Sequence, residues 1–273
     1  MKQVDQKEYN KEYFTSVSYG SIDIYEEYKG KKVDSRLQKS MKLANIKSHE
    51  KVLDYGCGRG EILVQVAQKG ASIIGIDYAD DAIALSQEAK SANDEEIQKR
   101  ITIMLQTSKT LPFDDNVFDC VFFLDVIEHL YQDEIDFALK EIYRVLKPGG
   151  RVILHTYPNK KYFDIGYRYY SKHVYHILSK LFFEPFLNKK IRYDDDPRIP
   201  YDKIMHVNEQ TLFSVKSNLE HAGFTLHKAY LSDWFLVNNV IDIIKFTIIV
   251  PSLVPFLKDL FTNNIWAVGT KRI

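Results

Sequence analysis

Short, continuous apolar runs alternate with amphipathic stretches through the middle of the chain. The continuous runs predict strands, and the stretches whose apolar positions recur every three or four residues predict helices between them. Strands without polar alternation are buried on both faces, which is typical of a parallel sheet covered by helices. The predicted strands cover residues 51–54, 71–77, 101–105, 118–124 and 151–156, and the predicted helices cover residues 61–68, 80–92 and 133–146.

The flanking regions have a different pattern and divide the chain. Residues 1–50 are polar with scattered aromatic side chains, and they predict a helical N-terminal extension or lid. After residue 207, one more helix and two more strands are predicted, at 208–222, 224–235 and 264–273. We therefore expect a core built from residues 51–157 and 208–273, with helical cap insertions at 158–207 and 236–262.

The composition narrows the classes of function. The 273 residues include 37 basic and 37 acidic side chains, so the net charge is zero and no nucleic acid is expected to bind through bulk positive charge. A hydrophobic fraction of 45% excludes a disordered chain. Two cysteines cannot form a disulfide scaffold, and the N-terminus has no secretory pattern. We expect a cytoplasmic protein without a membrane-spanning helix, peripheral to a membrane at most.

A glycine-rich loop lies between the first predicted strand and the helix that follows. Gly56, Gly58 and Gly60 allow a sharp turn and a close approach of a ligand to the backbone. Asp77, which ends the second strand, can accept hydrogen bonds from both hydroxyls of a ribose. The third glycine comes one place early for a dinucleotide loop, and Asp54 repels a pyrophosphate but attracts an amino group or a sulfonium. The loop therefore suits a cationic amino-acid nucleoside better than a dinucleotide.

Five ordered motifs resemble those of the class I S-adenosylmethionine-dependent methyltransferases, in the type 11 branch that includes ubiquinone-biosynthesis-type O-methyltransferases. The resemblance covers residues 33–157, with a looser match over 208–273. It implies an α/β fold, namely a Rossmann-like, seven-stranded, mostly parallel sheet with helices on both faces, an antiparallel last strand and helical cap insertions. The motifs are DYGCGRG at 54–60, the acid Asp77, LPFDDNVFD at 111–119, LDVIEHL at 124–130 and LKPGG at 146–150.

The resemblance also implies S-adenosyl-L-methionine as the cofactor and a set of residues that bind it. Thr107 departs from the family pattern, which often has an acid at this place to hold the adenine amino group, so Gln106 or backbone groups would substitute for it. The implied cofactor-binding residues are Asp54, Gly56, Cys57, Gly58, Gly60, Asp77, Tyr78, Gln106, Thr107 and Asp125.

The catalytic candidates are Asp125 and His129, which follow the fourth strand, where ligands bind in an open parallel sheet. Methyl transfer needs a base only when the acceptor loses a proton. His129 has a suitable unperturbed pKa for that role, and a structural hydrogen bond is the alternative. Asp125, Glu128 and His129 share one face of a helical turn and could ligate a divalent metal, which we do not favour, so no metal ligand is assigned. His155 and Tyr157 are candidate acceptor contacts.

The first cap insertion is basic and aromatic. Residues 160–192 contain eight Lys and Arg side chains against two acids, and an apolar stripe follows a predicted helix there. Such a helix packs on the core as a lid, and it also suits contact with an anionic membrane surface. The second insertion is apolar and could pack beside the first or form a homodimer surface. The predicted stripe consists of Tyr170, Val174, Ile177, Leu178, Leu181 and Phe182.

These patterns together predict an enzyme that transfers a methyl group to an oxygen of a small, hydrophobic or lipid-linked acceptor. The alternatives are an N- or C-methyltransferase of a small metabolite or sugar, a non-catalytic cofactor-binding subunit, and a protein methyltransferase. The predicted apolar cap argues against the last, because it would block a folded protein substrate. The expected partner is the small-molecule acceptor, and contact of residues 160–192 with a membrane surface and a homodimer are left open as alternatives.

Overall fold

A seven-stranded sheet forms the centre of the computed structural model, which describes residues 4–16, 19–188, 194–232, 250–254 and 257–273. The strands are β1 (Lys51–Tyr55), β2 (Ser72–Asp77), β3 (Ile101–Leu105), β4 (Phe118–Leu124), β5 (Leu146–Thr156), β6 (Thr225–Leu231) and β7 (Ile265–Thr270). Their order across the sheet is β3-β2-β1-β4-β5-β7-β6, and β7 runs antiparallel to both of its neighbours. The predicted fold class is confirmed.

Helices pack on both faces of the sheet and give two apolar layers. One layer joins β1, β2 and β4 to the third, fourth and fifth helices, and the other joins β4 and β5 to the seventh and eleventh. The helices are α1 (Lys11–Thr15), α2 (Ile22–Tyr28), α3 (Ser35–Ala44), α4 (Glu61–Gln68), α5 (Asp80–Ser91), α6 (Glu95–Gln98), α7 (Gln132–Val145), α8 (Lys172–Leu178), α9 (Glu184–Leu187), α10 (Pro200–Met205), α11 (Leu212–His221) and α12 (Lys258–Phe261).

The predicted elements of the core agree closely with the structure. The strands predicted at 101–105 and 118–124 and the helix predicted at 61–68 have the observed bounds. The strand predicted at 151–156 begins earlier, because Leu146 already pairs with Phe118 before a shift in register. The strand predicted at 224–235 ends at Leu231, and residues 233–235 lie outside the described part of the chain.

The N-terminal segment, by which we mean residues 4–50 as described, contains α1 to α3. Side-chain caps begin two of these helices: the Asn10 carboxamide oxygen accepts a hydrogen bond from the Tyr13 N–H at 3.0 Å, and an Asp34 carboxylate oxygen accepts one from the Leu37 N–H at 2.9 Å. The three helices lie in sequence before β1, and α3 and the side chains of Tyr25 and Phe14 contribute to the first apolar layer.

The cap, by which we mean residues 158–207 as described, is helical but differs from the predicted pattern. Two π-helical segments, Tyr162–Ser171 and Ser179–Phe183, flank α8. Their wider turns shift the phase of the apolar positions, so Ile177 and Leu181 of the predicted stripe are 56% and 70% exposed while Ser179 is buried. Of the second predicted insertion, residues 236–249, 255 and 256 lie outside the described residues. Within the described residues, no helix has the length and apolar character needed to cross a membrane.

Candidate active site

A cavity of about 680 Å³ opens at the carboxyl ends of β1, β2 and β4, where an open parallel sheet binds its ligands. The glycine loop, the turn after β4, the N-terminal segment and the cap all contribute to its wall. Gly58 and Gly60 are not among the lining residues. The lining includes the other nine residues predicted to bind the cofactor or to act in catalysis: Asp54, Gly56, Cys57, Asp77, Tyr78, Gln106, Thr107, Asp125 and His129.

The three glycines of the loop have three different structural roles. Gly56 has a φ of +83°, and a Cβ there would lie 2.5 Å from Cγ2 of Val126. Gly58 also has a positive φ, and its N–H donates to an Asp77 carboxylate oxygen at 3.0 Å. A Cβ on Gly60 would lie 2.9 Å from the Cβ of Ser86, so this glycine lets α4 pack against α5. The structure therefore assigns Gly60 to helix packing and leaves Gly56 at the cavity wall.

Two buried carboxylates give this end of the cavity its electrostatic character. Burial raises the pKa of Asp54 well above its usual range, and repulsion from Asp77 and Glu61 raises it further. Burial also raises the pKa of Asp77, although the backbone N–H groups of Ala79 and Gly58 oppose that shift. Two buried carboxylates that repel each other attract a neighbouring cation, because its positive charge offsets the cost of burying their negative charges and their mutual repulsion.

The edge of the cavity next to β3 is shaped by Gln106. The Gln106 side-chain amide donates to the backbone carbonyls of Ser108 and Thr110, at 2.7 and 2.9 Å. Its backbone N–H donates to the carbonyl of Asp77 at 2.8 Å, which ties this loop to β2. Gln106 therefore organises the loop through its amide N–H groups, and Thr107 lines the cavity beside it.

Asp125 is held from two sides. One of its carboxylate oxygens lies 2.5 Å from Nδ1 of His155, and the other forms an ion pair with Arg36 of α3. His155 Nε2 lies 2.9 Å from the side-chain oxygen of Asn264, and burial lowers the pKa of His155 to about 3. Asp125 itself has a φ of +55°, so the network holds it in a strained backbone conformation.

Glu128 and His129 lie on the short 3₁₀ turn that follows β4. Burial lowers the pKa of His129 to about 3, with a further contribution from His206. A neutral imidazole of this kind is a poor proton acceptor at neutral pH, which argues against the predicted general-base role. Burial raises the pKa of Glu128 to about 7, and its carboxylate accepts a hydrogen bond from the Thr156 hydroxyl at 2.9 Å.

The metal alternative considered from the sequence placed Asp125 with Glu128 and His129, and the structure does not assemble that trio. The Asp125 carboxylate is turned to Arg36 and His155. The turn at Ile127–His129 is a 3₁₀ helix, and Asp125, with its positive φ, precedes it rather than lying on a continuous helical face. In the described chain, Glu128 and His129 are instead grouped with His206 of the cap.

Several lining residues were not singled out from the sequence. Arg36 and His206 reach the cavity from elements far from the glycine loop in the chain, and local pattern carried no signal for either. The concentration of aromatic residues near the N-terminus was visible, and the structure places part of it in the cavity wall. The aromatic residues that the N-terminal segment contributes are Tyr9, Tyr13, Phe14 and Tyr19.

Comparison with known sequences agrees with the motifs. Residues 53–154 match the family described as Methyltransferase domain. The chain is 34% identical over 147 residues to a demethylmenaquinone methyltransferase of Staphylococcus carnosus, covering 52% of this chain and 58% of the relative. It is 30% identical over 125 residues to a sterol 4-C-methyltransferase of Caenorhabditis elegans, covering 46% and 36%. It is 34% identical over 109 residues to a mitochondrial ubiquinone biosynthesis O-methyltransferase of Rattus norvegicus, covering 39% and 30%. The chain thus spans less than two thirds of these relatives.

Solved structures share the fold. A geranyl diphosphate C-methyltransferase from Streptomyces coelicolor, in complex with Mg²⁺, geranyl diphosphate and S-adenosyl-L-homocysteine, matches with a TM-score of 0.57 and 14% identity over 98% of this chain and 89% of its own. A phosphoethanolamine N-methyltransferase of Haemonchus contortus in complex with S-adenosyl-L-methionine matches with a TM-score of 0.55 and 18% identity over 87% and 52%. The resemblance drawn from the motifs is confirmed: residues 53–154 match the methyltransferase domain family, and the fold is shared with methyltransferases solved with S-adenosyl-L-methionine or S-adenosyl-L-homocysteine.

Proposed function

We propose that this protein transfers a methyl group from S-adenosyl-L-methionine to a small hydrophobic acceptor. The observation that carries the proposal is the pair of buried carboxylates, Asp54 and Asp77, at the wall of one cavity beside Gly56. A ligand with ribose hydroxyls, an amino group and a sulfonium can interact favourably with both acids. Gly56 has no side chain, so the ligand can approach the backbone there.

The cofactor supplies an electrophilic methyl group on a sulfonium, so the protein's task is to bind, align and exclude water. Asp77 accepts hydrogen bonds from the ribose hydroxyls, and Asp54 attracts the ammonium group. Arg36 and His155 hold the Asp125 carboxylate in place at the cavity wall.

The hydrophobic class of the acceptor is supported by the aromatic and apolar side chains of the cavity wall. They include Tyr9, Tyr13, Phe137, Tyr157 and Ile199. Relatives named as demethylmenaquinone, sterol and ubiquinone-biosynthesis methyltransferases support a hydrophobic acceptor as well. We propose oxygen as the acceptor atom, and carbon is the second candidate because the sterol relative is named as a 4-C-methyltransferase. The position of a ¹³C-labelled methyl group in the product, read by NMR, distinguishes the two.

Calorimetry with S-adenosyl-L-methionine and S-adenosyl-L-homocysteine tests the proposal. Asp77→Ala removes charge-assisted hydrogen bonds worth about 1.5–3 kcal/mol, so we expect affinity for either ligand to fall by about 10- to 100-fold. Asp80→Ala is the control, because Asp80 is exposed at the start of α5 outside the cavity. Circular dichroism on each variant establishes that it has folded.

Two results would count against the proposal. A wild-type chain that binds neither ligand would remove the cofactor assignment altogether. A chain that binds both, yet transfers no labelled methyl group to quinols, sterols or phenols, would support the non-catalytic cofactor-binding subunit instead.

A further inference from the structure

A second group of polar side chains lies in the cavity wall, in addition to Asp54 and Asp77. Ligand atoms of Glu128, His129 and His206 all lie within 4.8 Å of one another. All three residues line the cavity, and all three are largely buried. The imidazole rings of His129 and His206 meet edge to face, with their centroids 4.9 Å apart.

The two imidazoles each have a buried nitrogen without a hydrogen-bond partner in the described chain. Nδ1 of His129 and Nδ1 of His206 are both in this state. The unprotonated nitrogen of a neutral imidazole can bind a metal ion, and a buried ring nitrogen without a partner is available for this role. Unsatisfied buried polar atoms are rare and call for an explanation.

The backbone holds the cap half of this cluster against the core half. His206 directly follows α10, and the N–H of Asn208 donates to the carbonyl of Glu128 at 3.0 Å. On the far side of the His206 ring, Nε2 lies 3.8 Å from a carboxylate oxygen of Asp202. A carboxylate beside the ring nitrogen that does not bind the metal orients a metal-binding imidazole.

We propose that Glu128, His129 and His206 bind a divalent transition-metal cation at the wall of the cavity. Two imidazole nitrogens and one carboxylate oxygen suit Zn²⁺, Co²⁺ or Fe²⁺, whereas Mg²⁺ prefers oxygen ligands. Neighbouring ligands of a tetrahedral Zn²⁺ lie about 3.3 Å apart, so modest side-chain rotations bring this group to bonding distances.

Three protein ligands leave a coordination position open toward the cavity. An acceptor oxygen bound there would be oriented, and its proton would be made more acidic by the cation. Because His206 belongs to the cap and Glu128 to the core, the cation would also join the two. This binding proposal does not rest on the proposed methyl transfer, since it is tested without cofactor or acceptor.

Titration of the chelator-treated full chain with Co²⁺ tests the site, through the visible absorption of the bound ion and elemental analysis after dialysis. We expect one ion per chain in the wild type. His206→Gln and His129→Gln should each weaken binding by at least about tenfold, as loss of a ligand should exceed loss of an outer partner. His173→Gln should bind like the wild type, because His173 is exposed on α8. We also expect Co²⁺ and Zn²⁺, but not Mg²⁺, to raise the melting temperature.

The proposal fails if the wild type binds no Co²⁺, or if His206→Gln and His129→Gln bind it as tightly as the wild type. In the first case the two rings are packing residues only. Glu128→Gln gives a third, nearly isosteric test should a histidine variant fail to fold. Cofactor binding measured in parallel separates failure of this site from failure of the proposed function.

Discussion

The glycines of the loop at residues 54–60 have different structural roles. Gly56 lies at the cavity wall, where a side chain would collide with Val126, whereas Gly60 separates α4 from α5. Both have a positive φ, so both positions disfavour any other residue. Sequence spacing predicted the turn correctly but attributed cofactor contact to every glycine, because a motif shows where glycine occurs and not which neighbour requires it.

We predict that Gly60→Ala lowers the free energy of unfolding by about 2 kcal/mol or more, from backbone strain and from crowding by Ser86. Gly149→Ala is the matched control, because its φ of +78° is close to the +81° of Gly60 while its new Cβ would meet only Ile273 at 3.9 Å. Urea unfolding of both variants measures the difference. Equal losses of stability would show that the contact with Ser86 has no cost.

At the scale of elements, the central strands could be predicted because a strand that is buried on both faces has a continuous run of apolar residues. β4, which is buried along almost its whole length, was predicted with its observed bounds for this reason. Contacts between elements distant in the chain were not predictable. Arg36 meets Asp125, and His206 meets His129, only because the N-terminal segment and the cap fold back over the sheet. The local sequence pattern does not predict contacts between elements that are far apart in the chain.

Arg59 is the clearest link between the N-terminal segment and the cofactor loop. Its guanidinium is buried, pairs with Glu61 and donates to the backbone carbonyls of Phe14 and Gly20, both at 3.2 Å. It also lies over the rings of Tyr19 and Tyr25, each at 4.7 Å. This contact set requires the planar fork of arginine, which lysine cannot reproduce.

We therefore predict that Arg59→Lys lowers stability by about 1–3 kcal/mol and speeds hydrogen exchange in the N-terminal segment more than in β1 and β2. The control is Arg100→Lys, since Arg100 is exposed and donates to a single carbonyl, that of Gly70. Exchange that accelerates evenly across the sheet would indicate global destabilisation, and the proposed link would be wrong.

For the molecule as a whole, the net charge is zero, but apolar and charged side chains are unevenly distributed over the surface. The cap exposes large apolar side chains, with Tyr169 at 70%, Leu181 at 70% and Phe186 at 73% exposed. Several of its lysines are paired with acids, among them Lys172 with Asp195 and Lys180 with Glu184. Apolar contact, more than positive charge, is therefore the stronger reason to expect this face to meet a membrane that holds a hydrophobic acceptor.

We propose that the cap docks on a lipid surface, and we predict that the wild type floats with vesicles of phosphatidylcholine and phosphatidylglycerol. Tyr169→Ser with Leu181→Ser removes two apolar anchors worth about 1.5–3 kcal/mol each, so partitioning should fall by about 100-fold or more. Phe213→Ser is the control, because Phe213 is 76% exposed on α11, outside the residues that form the cap. A wild type that does not float, or equal flotation of all three proteins, would contradict the proposal. Sedimentation without lipid tests the alternative, in which the cap forms a homodimer. In that case the wild type would sediment as a dimer and the double variant as a monomer.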